Sequence, residues 1–263
     1  MFDRDRNPPD RYQSPLPGQA PYGQLPPSVH PGGVMINGER VGAVPREGFL
    51  TMSFVWMFVA LLVSAAAAYF VFASPRALQF VAQYYIGLIL AELALVFVIS
   101  LAINRIGAMV GLALLFIYAL LNGLTIGVIV YAFFASGQVS AVVSSFLGAS
   151  AIFGAAALYG FATRRDLTGI GGILFMGLIG LVVMSFVQIF FFRDSNTFSL
   201  VIGAVGVLIF TGLTAYDVQR LKNGQMPGVK DAQSASVIGA LSLYLDFINL
   251  FLMLLRIFGS SRN

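Results

Sequence analysis

The chain has no cysteine, one histidine and one tryptophan, and only 10% of its 263 residues are charged. Without cysteine there is no disulfide, no thiolate metal site and no cysteine nucleophile, and redox compartment goes unmarked. The one histidine, His30, lies in a proline-rich leader, so a His–Ser or His–Cys pair inside the hydrophobic body is excluded. Soluble domains are about 25% charged, whereas this chain is 58% hydrophobic. A soluble protein of this size could not hide that much apolar surface in one core, so lipid must be the solvent for much of it. The formal charge of +4 is small and is placed at loop ends. That placement suits orientation in a membrane and not binding to nucleic acid.

Residues 1–46 differ from all that follows. Nine of the eleven prolines fall there, among Gly, Gln, Ser and mixed charges. Such a segment buries too little apolar area to offset its ordering entropy and reads as a disordered tail. It is either a plain solvated leader or a proline-dependent docking segment, and it lacks the apolar run of a secretory signal. From residue 47 to 258, long apolar runs alternate with short polar breaks, leaving 259–263 as a short C-terminal tail. A helix needs ~20 residues to cross the hydrocarbon. Spans are expected near 50–73, 80–103, 108–134, 138–162, 170–192, 197–220 and 235–258. Runs this long are helices and not barrel strands. The fold class is all-α, a polytopic membrane protein with seven transmembrane helices. Lys and Arg concentrate before the odd-numbered spans, which places the N-terminus in the cytoplasm. The last segment either crosses fully or re-enters, and the sequence leaves that open. Small residues recur at Ser64 and Ala68, Gly148 and Gly154, Gly177 and Gly180, and Gly203 and Gly206. They permit close helix–helix approach.

An ionisable side chain at membrane depth costs at least ~2.5–3.5 kcal/mol, so each needs a reason. Three acids qualify: Glu92, Asp217 and Asp246. Asp246 belongs to a stripe of Ala235, Gly239, Ser242, Asp246, Asn249, Met253 and Arg256, spaced alternately four and three and so on one helix face. That face is a hydrogen-bonding seam or a polar pathway. Asp217 closes the sixth span, with Thr214 one turn before it. It pairs either with Arg220 at i+3 or with Asp246 across the short link to the next span. Glu92 has Tyr118, Asn122 and Thr125 as candidate partners on one face of span three. Arg105, the lone cation after span two, either marks topology or reaches an acid at the cytoplasmic mouth.

The run Thr-Ala-Tyr-Asp-Val-Gln at 214–219, followed by Gly-Ala-Leu-Ser-Leu-Tyr-Leu-Asp-Phe-Ile-Asn-Leu-Phe at 239–251, resembles the Bax inhibitor-1 family, also called transmembrane Bax-inhibitor-motif proteins. The likeness covers roughly 47–258 and is most specific in the last two spans. It implies six helices around a central seventh and a pH-sensitive calcium leak without enzymatic activity or cofactor. In that picture Asp217 and Asp246 share a proton in the closed form, and Arg105 is the candidate latch. Glu92, Asn122, Ser242 and Asn249 are the candidate pore lining. The resemblance also implies a place in the bacterial inner membrane, with a membrane-bound AAA protease as a partner that bacterial relatives modulate.

Two carboxylates close together in low dielectric cannot both ionise cheaply, so they would hold one proton between them and titrate as a pair. Losing that proton leaves two repelling charges, loosens spans six and seven and attracts a cation. The closed form therefore belongs to low pH. Calcium favours several hard oxygen ligands, and the two carboxylates with Ser242, Asn249 and carbonyls could offer it a transient site. The competing class is a regulatory protein that binds a membrane protease, with the acids as packing glue. A proton-coupled transporter lacks an evident inverted repeat or broken helix pair. An intramembrane aspartyl hydrolase lacks any substrate-docking motif.

Overall fold

The computed structural model describes residues 29–30, 33–36, 39–41, 48–192, 195–225, 229 and 231–260, with the side chains of Asn104 and Ile189 and of the tail left aside. The tail and the membrane domain are separate units, 1–43 and 44–263. Within the tail, β1 (Val29–His30), β2 (Gly33–Ile36) and β3 (Glu39–Val41) form a small antiparallel sheet. Ile36 pairs with Glu39 across Asn37-Gly38, the residue pair most favoured in two-residue hairpins. Composition alone gave no regular structure to this stretch. The remaining expectations for the tail, and those for 261–263, fall outside the described residues.

The membrane domain is helical throughout: α1 (Phe49–Ala73), α2 (Pro75–Gln83), α3 (Tyr85–Ala135), α4 (Val139–Ala162), α5 (Thr168–Phe191), α6 (Asn196–Lys222) and α7 (Ala232–Ser260). α3 holds two spans, Tyr85–Ile103 and Arg105–Ala135, so seven stretches are long and apolar enough to cross a membrane. The chain turns back between the two arms at Gly107, whose φ of 77° and ψ of 164° lie in a region that essentially only glycine occupies. α2 is an addition to the expected list. Ser74 caps it by accepting from the Ala77 amide at 3.3 Å, and Pro75 takes the first helical position, where its missing N–H costs nothing.

α7 is the centre. In its central stretch 72% of residues are buried, against 11% in α5 and 17% in the first arm of α3. α1, α3, α4 and α6 pack directly on it. The first arm of α3 reaches it through Asn122, and α5 through Gln188. α7 is uninterrupted over 29 residues, ~43 Å at helical rise, which is long enough for a complete crossing. Outward faces carry large apolar side chains such as Leu101, Met109, Phe190 and Phe191, each more than 70% exposed, as lipid requires.

Close approach is built on small residues. A methyl group on Gly123 would collide with the Ser64 backbone of α1, and one on Gly160 with the Ala215 carbonyl of α6. Gly203 and Gly206 meet Met253 of α7, as the sequence spacing suggests, but Gly154 and Gly180 have nothing within 4 Å. Spacing reveals a shared face; it does not reveal whether a helix or lipid covers that face.

Candidate functional site

α6 ends and α7 begins on the same side of the bundle, so the two run antiparallel as neighbours. Asp246 lies fourteen residues into α7, ~21 Å along a ~43 Å helix, and is 4% exposed. Asp217 lies five residues before the end of α6. The geometry brings them together: the charge of Asp217 acts on Asp246, Thr214 reaches the Asp246 carboxyl, and Ser242 reaches the Asp217 carboxyl. The arrangement is reciprocal. Each helix offers a hydroxyl to the other helix's acid, with Thr214 three residues before Asp217 and Ser242 four before Asp246. Oδ2 of Asp246 is buried without a hydrogen-bond partner, an uncommon state for a buried polar atom and a mark of a special site.

Among the described residues Arg105, the latch candidate, is not brought to either aspartate. Its side chain is exposed at the break in α3, and among the described residues no hydrogen bond or ion pair of Arg105 is seen. The cation that acts on Asp217 is Arg220, one turn along the same helix, whose Nε donates to the Gln225 carbonyl at 2.8 Å. Local spacing wins because an i+3 side chain is already in place, whereas Arg105 stands on another helix and faces outward.

The rest of the α7 stripe follows α6 and α5. Asn249 donates to the Leu245 carbonyl at 2.8 Å and, with Ser185, Phe210 and Met253, lines a cavity of about 260 Å³ among α5, α6 and α7. Arg256 donates to Gln188 Oε1 of α5 at 2.8 Å. Among the described residues no group of three or more His, Cys, Asp or Glu gathers to hold a metal ion tightly.

A second polar centre occupies the opposite face of α7. Glu92, on the first arm of α3, accepts from Asn122 Nδ2 at 3.0 Å and from the Thr125 hydroxyl at 2.9 Å on the second arm. These are two of its three sequence-nominated partners. Tyr244 donates to Asn122 Oδ1 at 2.9 Å and meets the Ser64 hydroxyl of α1 at 2.7 Å. Ser64 also reaches the Ala119 carbonyl at 2.7 Å. One connected network thus ties α1, both arms of α3 and α7, with Tyr118 packed edge-on against Tyr244. Asn122 and Glu92 belong to this network and not to the aspartate pair. Tyr244 was missed in the sequence, although a tyrosine deep in an apolar span needs a partner for its hydroxyl. Ser64 stood out there only for its size.

Gln219 was also missed. It clasps the α4–α5 connection, donating to the Arg165 carbonyl at 2.7 Å and accepting from the Leu167 amide at 2.8 Å. Lys222 adds a bond to the Phe161 carbonyl at 2.6 Å. The end of α6 that carries Asp217 is thereby fixed to α4 and α5. In that connection the exposed Asp166 accepts from the Thr168 hydroxyl at 2.6 Å and amide at 2.9 Å, which holds its carboxyl below the usual aspartate range.

A family model described as "Inhibitor of apoptosis-promoting Bax1" matches residues 46–263. The chain is 42% identical over 228 residues to the inner membrane protein YbhL of Escherichia coli K12, covering 83% of this chain and 95% of that protein. It is 39% identical over 217 residues to an uncharacterized protein of Deinococcus radiodurans, covering 82% and 91% of the two chains. A Borreliella burgdorferi protein, also uncharacterized, is 37% identical over 235 residues, covering 86% and 97%.

Proposed function

This chain belongs to the Bax inhibitor-1 family, and we propose that it is a pH-sensitive calcium leak in which Asp217 and Asp246 share a gating proton. The observation that carries the reading is the reciprocal contact of two acids and two hydroxyls between α6 and α7. With one proton on the pair, the helices stay together and the path is closed. Without it, two carboxylates repel in a poorly hydrated place, the seam loosens, and the same oxygens draw in a cation. Calcium enters as cargo, met by both carboxylates and Ser242, a set too open for a tight cage.

Thr214 adds a second moving part. Its hydroxyl has a single proton, and it lies 2.8 Å from the Phe210 carbonyl while also reaching Asp246. When Asp246 is protonated, the carboxyl donates to Thr214 and the hydroxyl keeps its bond to Phe210. When Asp246 ionises, the hydroxyl turns to donate to it. The hydroxyl rotor thus follows the protonation state with no backbone movement.

The reading places the protein in the inner membrane, as the name of its Escherichia coli relative says of that protein, with the tail and the Gln219 end of α6 in the cytoplasm. It assigns no enzymatic step. Calcium flux into liposomes holding the purified protein, measured against pH, tests it. Flux should rise as pH rises, and Asp217→Asn and Asp246→Asn should each abolish that dependence. If both variants keep wild-type flux and pH dependence, the aspartates are packing groups and the proposal is wrong.

A further inference from the structure

At the end of the bundle opposite the Gln219 clasp, a cavity of about 370 Å³ opens among α3, α6 and α7. Ile129, Phe133, Leu252 and Met253 make most of its wall apolar, while Ser199, Arg256 and Ser260 supply the polar part. Its volume lies within the ~300–1,000 Å³ of ligand pockets. That is room for a lipid's polar head and the first part of one chain.

Arg256 is the informative residue. It lies in the last turns of α7, half-buried, with its Nη1 donating to Gln188 at 2.8 Å. A guanidinium has five N–H donors, so most of its capacity is open. Among the described residues no acid lies close enough to pair with it. Among the described residues its one hydrogen-bond partner is that neutral amide, and a half-buried cation so partnered is costly. Ser199 is the fourth residue of α6, so the positive end of that helix dipole faces the same region. Cation, hydroxyls and a helix N-terminus thus share one cavity with an apolar wall.

We propose that this cavity binds the phosphate of an anionic phospholipid, with Arg256 as the anchoring cation and the Ile129–Phe133–Leu252 wall taking the start of an acyl chain. The planar fork of arginine suits phosphate oxygens. The recess lies near the end of α7, on the face of the bundle opposite the cytoplasmic Gln219 end, so the lipid it takes belongs to the outer leaflet. The site is separate from the aspartate seam, which lies at mid-helix and toward the other end of α7.

The test uses the full chain purified in neutral detergent, with lipid binding read by native mass spectrometry. The probes are phosphatidylglycerol, phosphatidylcholine with the same chains, and inorganic phosphate as competitor. Phosphatidylglycerol should bind about tenfold more tightly than phosphatidylcholine, because both offer phosphate oxygens but the choline ammonium offsets that charge and repels the guanidinium. Arg256→Gln should erase the difference, and Arg256→Lys should keep part of it. Leu252→Trp, which narrows the slot and leaves the cation, should weaken both lipids; it decides the matter if Arg256→Gln does not fold. Equal binding of the two lipids overturns the proposal. So does a preference that survives Arg256→Gln, or unaltered affinity for both lipids in Leu252→Trp, and so does displacement of lipid by phosphate alone at equal concentration.

Discussion

Replacing Tyr244 with Phe removes one oxygen from the fully buried centre of the bundle. Its consequences can be followed atom by atom. Ser64 loses a neighbour at 2.7 Å but keeps the Ala119 and Ala60 carbonyls as acceptors, so nothing on α1 is orphaned. Asn122 keeps its bond from Nδ2 to Glu92, but its Oδ1 loses the donor at 2.9 Å. One buried acceptor is left bare. In soluble cores that costs ~1–3 kcal/mol, while interhelical hydrogen bonds within membranes average ~0.6 and reach ~1.7 kcal/mol. About 1 kcal/mol of destabilisation is expected. Trp56, the sole tryptophan, packs edge-on against Phe116 of α3 with ring centroids 6.1 Å apart, so its fluorescence reports the α1–α3 contact during unfolding in mixed micelles. Glu92→Gln is the matched control. Its amide can accept from Asn122 and donate to Thr125, whose hydroxyl then turns to the Asn122 carbonyl at 2.9 Å. That variant should stay within ~0.5 kcal/mol of wild type. The accounting fails if Tyr244→Phe costs nothing, or if Glu92→Gln costs more than Tyr244→Phe.

Gly160→Leu should force α4 away from the Ala215 backbone and cost ~1–3 kcal/mol or more by overpacking. Gly154→Leu, with open space around it, should change stability by less than ~0.5 kcal/mol, and the same fluorescence assay compares them. Gly107→Ala places a side chain at a φ of 77° and should cost ~1–3 kcal/mol, read as a lower unfolding midpoint. Asp166 is acidified in the fold relative to the unfolded chain, so its support for the α4–α5 connection is present above the ordinary aspartate range of ~3.9. That support is lost as pH falls through the folded value. Asp166→Asn should remove this acid-side loss from hydrogen-exchange protection at Thr168 and leave neutral-pH protection little altered.

The spans were legible because lipid demands one thing of every helix, length in apolar residues, and the sequence states it directly. Boundaries were harder. α2 hides at the front of an apolar run that looks continuous from residue 80, and its only marks are the Ser74 cap and Pro75. The acids were legible as costly exceptions, and the pairing of Asp217 with Asp246 follows from adjacency of the last two helices. Which face each polar side chain joins was not legible. Glu92, Asn122 and Asn249 all looked like lining for one path, yet Glu92 and Asn122 serve the Tyr244 network, whereas Asn249 lines a cavity beside α5. Arg105 shows the same limit: its place in the sequence does not reveal that its side chain is exposed at the break in α3.

Tyr244 and Asp246 are two residues apart, so they point to nearly opposite sides of one cylinder. α7 therefore behaves like an axle keyed on both sides. If it rolls or slides to part the carboxylates, it drags the tyrosine out of its socket between α1 and α3. The wall on that side must then give way at the same moment, or it holds the axle still.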